Sequence, residues 1–303
     1  MPRAELMSPD GLREDMLKKF WWFLKERQAI WHNRFVLKKS PPWTEDPVLR
    51  AYKFCNVYRE LDRGTIYCVN EILSCMDKQA VVFNVMVYRM FNLPSTYDVL
   101  GFVKPSRFDS DRAEVKLQAL AASGQKVFSH AYMLAGTGLH GRGAKIKDYC
   151  RVLGGVAADK GFLRNVLAAG GMEEAWRAVR LAKWFGPFVA YQVVLDLAMV
   201  LGWDQNEWCY IGPGALRGVG WLQGQESLLL MRGPKPQGDV EATLRWLLAV
   251  HEDVLGSQFK WLMKGKSRIP LTLQNVEFAL CEFNKYQRAL HGGRRYSFEP
   301  SAN

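Results

Sequence analysis

Apolar residues recur at helical intervals along most of the 303-residue chain. Between residues 12 and 39, Leu, Trp and Phe alternate with Lys and Glu at the steps of one helix face. Ser40-Pro41-Pro42 ends that element. Thr44 is placed to cap the next helix, with Glu45, Asp46 and Pro47 in its first turn, where acids and proline are favoured. That helix is predicted to run to Gly64, a residue type suited to the position just past a helix end. Further helices are predicted at about 65–77, 79–91, 95–100, 109–122, 158–169, 172–183, 186–201, 240–254 and 273–289. No series of alternating strands is present, although Leu228–Arg232 reads as either a strand or part of a helix. Segments 134–147, 210–220 and 232–238 are rich in Gly or Pro and read as loops. The pattern predicts an all-α (mainly α) protein: one helical unit over 1–303, divisible into two interlocked helical subdomains. Residues 291–303 form a flexible Gly/Arg-rich tail in this reading.

Composition narrows the class. Half the residues are apolar (49%) and 23% are charged, which is ordinary for a globular chain. The formal charge of +11 favours a polyanionic partner, with nucleic acid ahead of a phosphorylated substrate or an anionic surface. Eleven tryptophans serve a core and can also stack on bases. The six cysteines include no C-x-x-C pair, and no histidine pair has zinc-finger spacing, so the thiols read as reduced and buried in a reducing compartment. MPRAELMSPD lacks the apolar core of a signal peptide. Phe188–Leu201, the longest apolar stretch, contains Gln192 and Asp196 and is too short and polar to span a bilayer. The expectation is a cytoplasmic protein without a membrane partner.

Four constellations could carry chemistry. On the predicted 47–63 helix, Tyr52, Asn56, Arg59 and Arg63 share one face, opposite Phe54, Val57 and Leu61. Two guanidinium forks on a polar strip suit phosphate oxygens. Asp62 beside them orients an arginine or acts as a base; a solvated face with an internal Arg59–Asp62 pair is the plainer reading. On the 186–201 helix, Gln192 and Asp196 lie one turn apart in apolar surroundings. A buried carboxylate there needs a partner, a ligand or a raised pKa. At 210–218, Gly212-Pro213-Gly214 followed by Arg217 exposes backbone N–H groups of the kind that hold phosphate, with Trp208 and Trp221 nearby in sequence; a plain helix connector is the alternative. Last, Glu282 shares a helix face with Lys285 and Tyr286, with Arg288 following. That arrangement offers a carboxylate base beside a cation for an anionic leaving group, or merely a surface ion pair. The glycines of 134–147 lack G-x-x-x-x-G-K-[ST] spacing, so a nucleotide-phosphate loop is disfavoured there.

Four segments, PPWTEDPVLRAYKFCNVYRELDR (41–63), GPFVAYQVVLDL (186–197), IGPGALRG (211–218) and VEFALCEFNKYQR (276–288), together resemble the α-glutamyl/putrescinyl thymine pyrophosphorylase family. These are phage DNA-modifying proteins related to helix-hairpin-helix DNA glycosylases. The same module is also named as a helical domain associated with 5-hydroxymethyluracil DNA kinases. The resemblance implies a helix-hairpin-helix glycosylase-like architecture and a transfer reaction. An amine, from an amino acid such as glycine or from a polyamine, displaces pyrophosphate from the exocyclic methylene of pyrophosphorylated 5-hydroxymethyluracil in double-stranded DNA. The target base would be flipped out of the stack. Asp196, Glu282 and Asp62 are then the expected base candidates, Asp196 foremost. Asn56, Arg59, Arg63, Gln192, Lys285 and Arg288 would bind substrate and pyrophosphate, and Gly212, Pro213, Gly214 and Arg217 would hold the DNA backbone. No metal site or cofactor is evident; Mg²⁺ commonly accompanies pyrophosphate, but no acidic cluster demands it. Two other readings stand beside this one: a base-excising glycosylase, and a non-catalytic DNA-binding module partnering a 5-hydroxymethyluracil DNA kinase.

Overall fold

A computed structural model describes residues 8–129, 144–229 and 238–292. Its helices are α1 (Glu14–Trp31), α2 (Pro47–Ala51), α3 (Arg63–Cys68), α4 (Lys78–Phe91), α5 (Pro94–Leu100), α6 (Ser110–Ala122), α7 (Lys145–Ala158) and α8 (Lys160–Leu167). They continue as α9 (Met172–Val179), α10 (Pro187–Leu201), α11 (Pro213–Gln223), α12 (Glu226–Leu229), α13 (Gly238–Leu255) and α14 (Leu273–Leu290). A short hairpin, β1 (Leu262–Lys264) and β2 (Ser267–Ile269), precedes α14. The protein is mainly α, as the periodicity predicts. It divides into two compact units, residues 1–62 with 211–303, and residues 63–210.

In the first unit, α1 buries Met16, Phe20, Phe23, Leu24 and Arg27, the three-and-four spacing of one helix face. Phe20 and Phe23 meet Phe283 of α14 with ring centroids 5.4 and 5.7 Å apart, and Phe23 meets Tyr286 at 5.3 Å. Large aromatics thus fill the seam between the first and last long helices. A capping box fixes the start of α14, with Thr272 and Asn275 each bonded to the other's backbone N–H. Helix α11 lies against α14 through glycines. A Cβ added at Gly214 would run into the Cys281 Sγ, and one at Gly218 would run into the Leu280 carbonyl oxygen.

The second unit centres on α4 and α10, which are buried on nearly every side. An all-round apolar helix belongs in a core. An ionic link between them lies deep: Arg89 grips both oxygens of Asp196, with Nη2 2.7 Å from Oδ1. Asp196 is fully buried and Arg89 nearly so.

Several boundaries differ from the pattern. The second helix ends at Ala51, and 52–58 is not helical before a 3₁₀ turn at Arg59–Leu61. The Asp46 carboxylate, rather than Thr44, caps α2 through the Leu49 N–H at 2.8 Å. Segment 210–220 is largely helix, since α11 begins at Pro213. Helix α7 and the hairpin have no counterpart among the predicted elements, and 145–147 is helical rather than loop. Leu228 and Leu229 are helical, while 230–232 lies outside the described residues. So do 134–143, 232–237 and 293–303, which hold most of the predicted basic loop, the third loop and the tail.

Candidate functional site

The polar segment 52–62 is not helical because its backbone groups are claimed from elsewhere in the first unit. Arg27 reaches from α1 and donates to the carbonyls of Phe54 and Cys55 at 3.0 and 3.1 Å. The Cys55 N–H donates to Glu282 Oε2 at 2.9 Å, and the Asn56 N–H to Asp62 Oδ1 at 3.0 Å. Asn56 closes the loop by donating from Nδ2 to the Leu61 carbonyl at 2.8 Å. Donors and acceptors that a helix would satisfy internally are thus satisfied by side chains. The single-face strip of Tyr52, Asn56, Arg59 and Arg63 is therefore not formed as a helix face. Arg59 is buried with its guanidinium over the Phe278 ring, whereas Arg63 is exposed at the start of α3 in the second unit.

What this loop and α14 assemble is a cluster of carboxyls and cations at the beginning of α11. Glu282 is paired with Lys285 at 3.5 Å, with side-chain exposures of 14% and 30%, so the pair is half-buried rather than a free surface bridge. Lys285 also donates to the Lys53 carbonyl and sits over the Phe54 ring. Asp62 is held by burial at a pKa of about 6, against the opposing pull of the Asn56 N–H and Arg59. Glu277, buried on α14, is pushed by burial to about 8, although it accepts from the Gly212 N–H at 3.3 Å and feels Arg59. Asp62 also feels Glu282 and Arg27. Burial, with Glu277 and Glu282 adding to it, likewise raises the Cys281 thiol, which disfavours a thiolate nucleophile there.

Gly212 is the N-cap of α11 and Pro213 its first residue. Gly212 is buried on Glu277, Gly214 packs on Cys281, and Pro213 is exposed. Arg217 is half-exposed one turn along, close enough to act on the Cys281 thiol. Arg288 is exposed near the end of α14. Asn56, Arg59, Asp62, Gly212, Gly214, Arg217, Glu282 and Lys285 therefore belong to one unit. Gln192 and Asp196, both buried on α10, belong to the other.

Two members of the cluster are missing from the sequence-predicted candidates, although the chain carries their signal. Glu277 stands on the face that carries Leu273, Val276, Leu280 and Phe283, so it is an acid inside an apolar stripe, the same pattern that singles out Asp196. Arg27 continues the stripe of Phe20, Phe23 and Leu24 in the same way. The sequence Gly265-Lys266-Ser267 resembles the end of a phosphate loop, but it forms the tip of the hairpin. No helix among the described residues is long and apolar enough to cross a membrane. Among the same residues, no three His, Cys, Asp or Glu groups are arranged to hold a metal ion.

A basic, mainly helical domain organised around buried carboxyls and guanidinium groups at a helix N-terminus is the class that fold and site define. The family follows from comparison: the family model described as 5-hmdU DNA kinase, helical domain, matches residues 14–295, and the chain belongs to that family. A curated relative, the 5-hmdU DNA kinase of Bacillus phage SP10, is 29% identical over 285 residues, covering 87% of this chain and 43% of the relative. The chain thus spans less than half the length of that relative. No solved structure matches it significantly.

Proposed function

We propose that this domain modifies a hydroxymethylated thymine analogue in DNA by transferring an amine onto it. The observation that carries the proposal is the cluster at the start of α11, where Asp62, Glu277 and Glu282 meet Arg27, Arg59 and Lys285. In the proposed step the amine nitrogen attacks the exocyclic methylene carbon of a pyrophosphorylated 5-hydroxymethyluracil. The carbon–oxygen bond breaks and pyrophosphate departs with the bonding electrons. The proton lost by the amine goes to a carboxylate. Asp62, with its affinity for protons raised towards neutrality, is the favoured acceptor and Glu282 the second. Arg59 and Lys285 stabilise the departing negative charge, with Arg288 as a further phosphate contact. The cluster draws on the first unit alone, so Arg63 is given no part in this step. Asn56 holds Asp62 in place. Both oxygens of Asp196 are engaged by Arg89, so in this reading Asp196 with Gln192 supports the fold of the second unit. Exposed Pro213 presents the start of α11 to the DNA backbone, with half-exposed Arg217 beside it, while Gly212 is turned inward onto Glu277. Membership of a 5-hmdU DNA kinase domain family supports the base and the nucleic acid, and not the amine.

The test is mass spectrometry of nucleosides after incubating pyrophosphorylated 5-hydroxymethyluracil DNA with the protein and a pool of amino acids and polyamines. The expected product is a nucleoside whose mass includes one amine, with equimolar free pyrophosphate and an intact strand. Abasic sites in place of that product would assign base excision instead.

A second reading has its own support. The chain matches under half of a longer relative that is itself named as a kinase. A domain that only holds DNA for a kinase would bind duplex, turn nothing over, and raise the rate of a 5-hydroxymethyluracil DNA kinase added to the same reaction.

A further inference from the structure

The hairpin of β1 and β2 has no role in the chemistry above, yet it is the most uniformly basic element described. Residues 254–276 contain no Asp or Glu, and they carry Lys260, Lys264, Lys266 and Arg268. All four are exposed, and none forms an ion pair among the described residues. The base of the hairpin is held firmly within the first unit. Gln28 donates to the Lys260 carbonyl at 2.9 Å and the Tyr58 hydroxyl to the Ile269 carbonyl at 2.7 Å. The Trp261 indole donates to the Gly256 carbonyl at 2.8 Å. His251 Nε2 accepts from the Leu271 N–H at 3.0 Å, which places the ring proton on Nδ1, facing the Leu248 carbonyl. The tip is tight: Lys264 pairs with Ser267 across Gly265-Lys266, and Gly265 has φ +60°, as the first central residue of a two-residue hairpin turn requires. Arg268 lies over the Trp261 ring, and exposed Met263 stands opposite it. Glu60 and Glu252 act on Tyr58, at the anchored end and away from the tip.

We propose that this hairpin is a duplex-DNA contact separate from the α11 cluster, with Lys264, Lys266 and Arg268 set on phosphates. Cations on both faces of the ribbon and at its tip, with no ion pair among the described residues, complement the phosphates on either side of a groove, and a two-stranded ribbon has the width to enter a major groove. Anchoring by these hydrogen bonds, partly or fully buried, lowers the entropy lost when the tip docks. The inference rests on the reading that the substrate is DNA.

The experiment measures duplex affinity across a salt series for the full chain, for Lys264→Ala/Lys266→Ala, and for the triple variant that adds Arg268→Ala. Circular dichroism confirms folding, and the double variant leaves the Arg268–Trp261 contact intact. Affinity is expected to fall by about tenfold in the double variant at moderate salt. The slope of log K against log salt should become shallower by about 0.9 for each phosphate that is no longer neutralised. Amine transfer at saturating DNA stays at the parent rate. Unchanged affinity and slope in folded variants, while the parent binds DNA, overturn the hairpin assignment and leave the proposed activity standing. A parent that binds no duplex overturns both. If the variants instead lose only binding to phosphatidylserine vesicles, the hairpin serves a lipid surface and the DNA assignment fails.

Discussion

Among individual residues, the two raised carboxyls lead to opposite kinds of measurement. If Asp62 takes the proton from the amine, kcat/KM rises with pH through about 6, where the carboxyl ionises. Asp62→Asn should flatten that limb and lower the rate by about 10²- to 10⁴-fold, read from pH–rate profiles. A flat parent profile through that region would remove Asp62 from the role. Glu277 bears on stability instead. Its folded pKa of about 8 stands above an unfolded value of about 4.5, so the folded state holds its proton more tightly. Below the lower value both states are protonated and nothing changes. Between the two, the unfolded chain ionises first and stability drains away as pH rises, until it levels off above the upper value. Glu277→Gln keeps an oxygen for the Gly212 N–H and removes the ionisation. Melting curves should show the variant gaining over the parent between pH 5 and 8, with no gain at pH 4. A gain that is equal at every pH would show that Glu277 does not titrate in this window.

Glycine means different things in different elements. Gly155 lies exposed in α7, and a Cβ there would meet nothing within 4 Å. Gly155→Ala should therefore raise stability by about 0.5–1 kcal/mol in chemical denaturation. Gly218 in α11 is the reverse case, with its missing side chain occupied by the Leu280 backbone. Gly218→Ala should cost at least about 1–3 kcal/mol, because two helices must part. The contrast explains what a sequence can express. Helices α4, α10 and α14 match their apolar periodicity nearly to the residue, since periodicity is a local property of the chain. Helix α11 reads as a loop because glycine lowers local helix propensity, and the compensating contact with Cys281 and Leu280 lies far away in sequence. Residues 52–62 depart in the other direction. Their helical spacing is real, but Arg27 and Glu282 capture the backbone. Of the site itself, Asn56, Arg59 and Asp62 are legible as a polar strip and Glu282 as a carboxylate beside Lys285, whereas their convergence on Glu277 is not.

At the level of the whole molecule, the chain leaves its first unit at residue 62 and returns at 211, so the second unit is one continuous stretch. It has its own core around α4 and α10 and its own buried ion pair. Residues 63–210 expressed alone should fold, as read by far-UV circular dichroism and a cooperative melt. In that fragment Asp196→Asn should cost about 3–5 kcal/mol, because Arg89 is left as a buried charge without its partner. A negligible cost would show that water or another group compensates, and would reopen Asp196 as a reactive carboxylate. The seam between α11 and α14 also governs how the sequence of this protein can drift. At position 214 the obstacle is a side chain, so a methyl gained there can be traded against a smaller residue at 281. At 218 the obstacle is a main-chain carbonyl, which no substitution at 280 can shrink. A saturation library selected for folded protein should therefore yield paired changes at 214 and 281, and only glycine at 218.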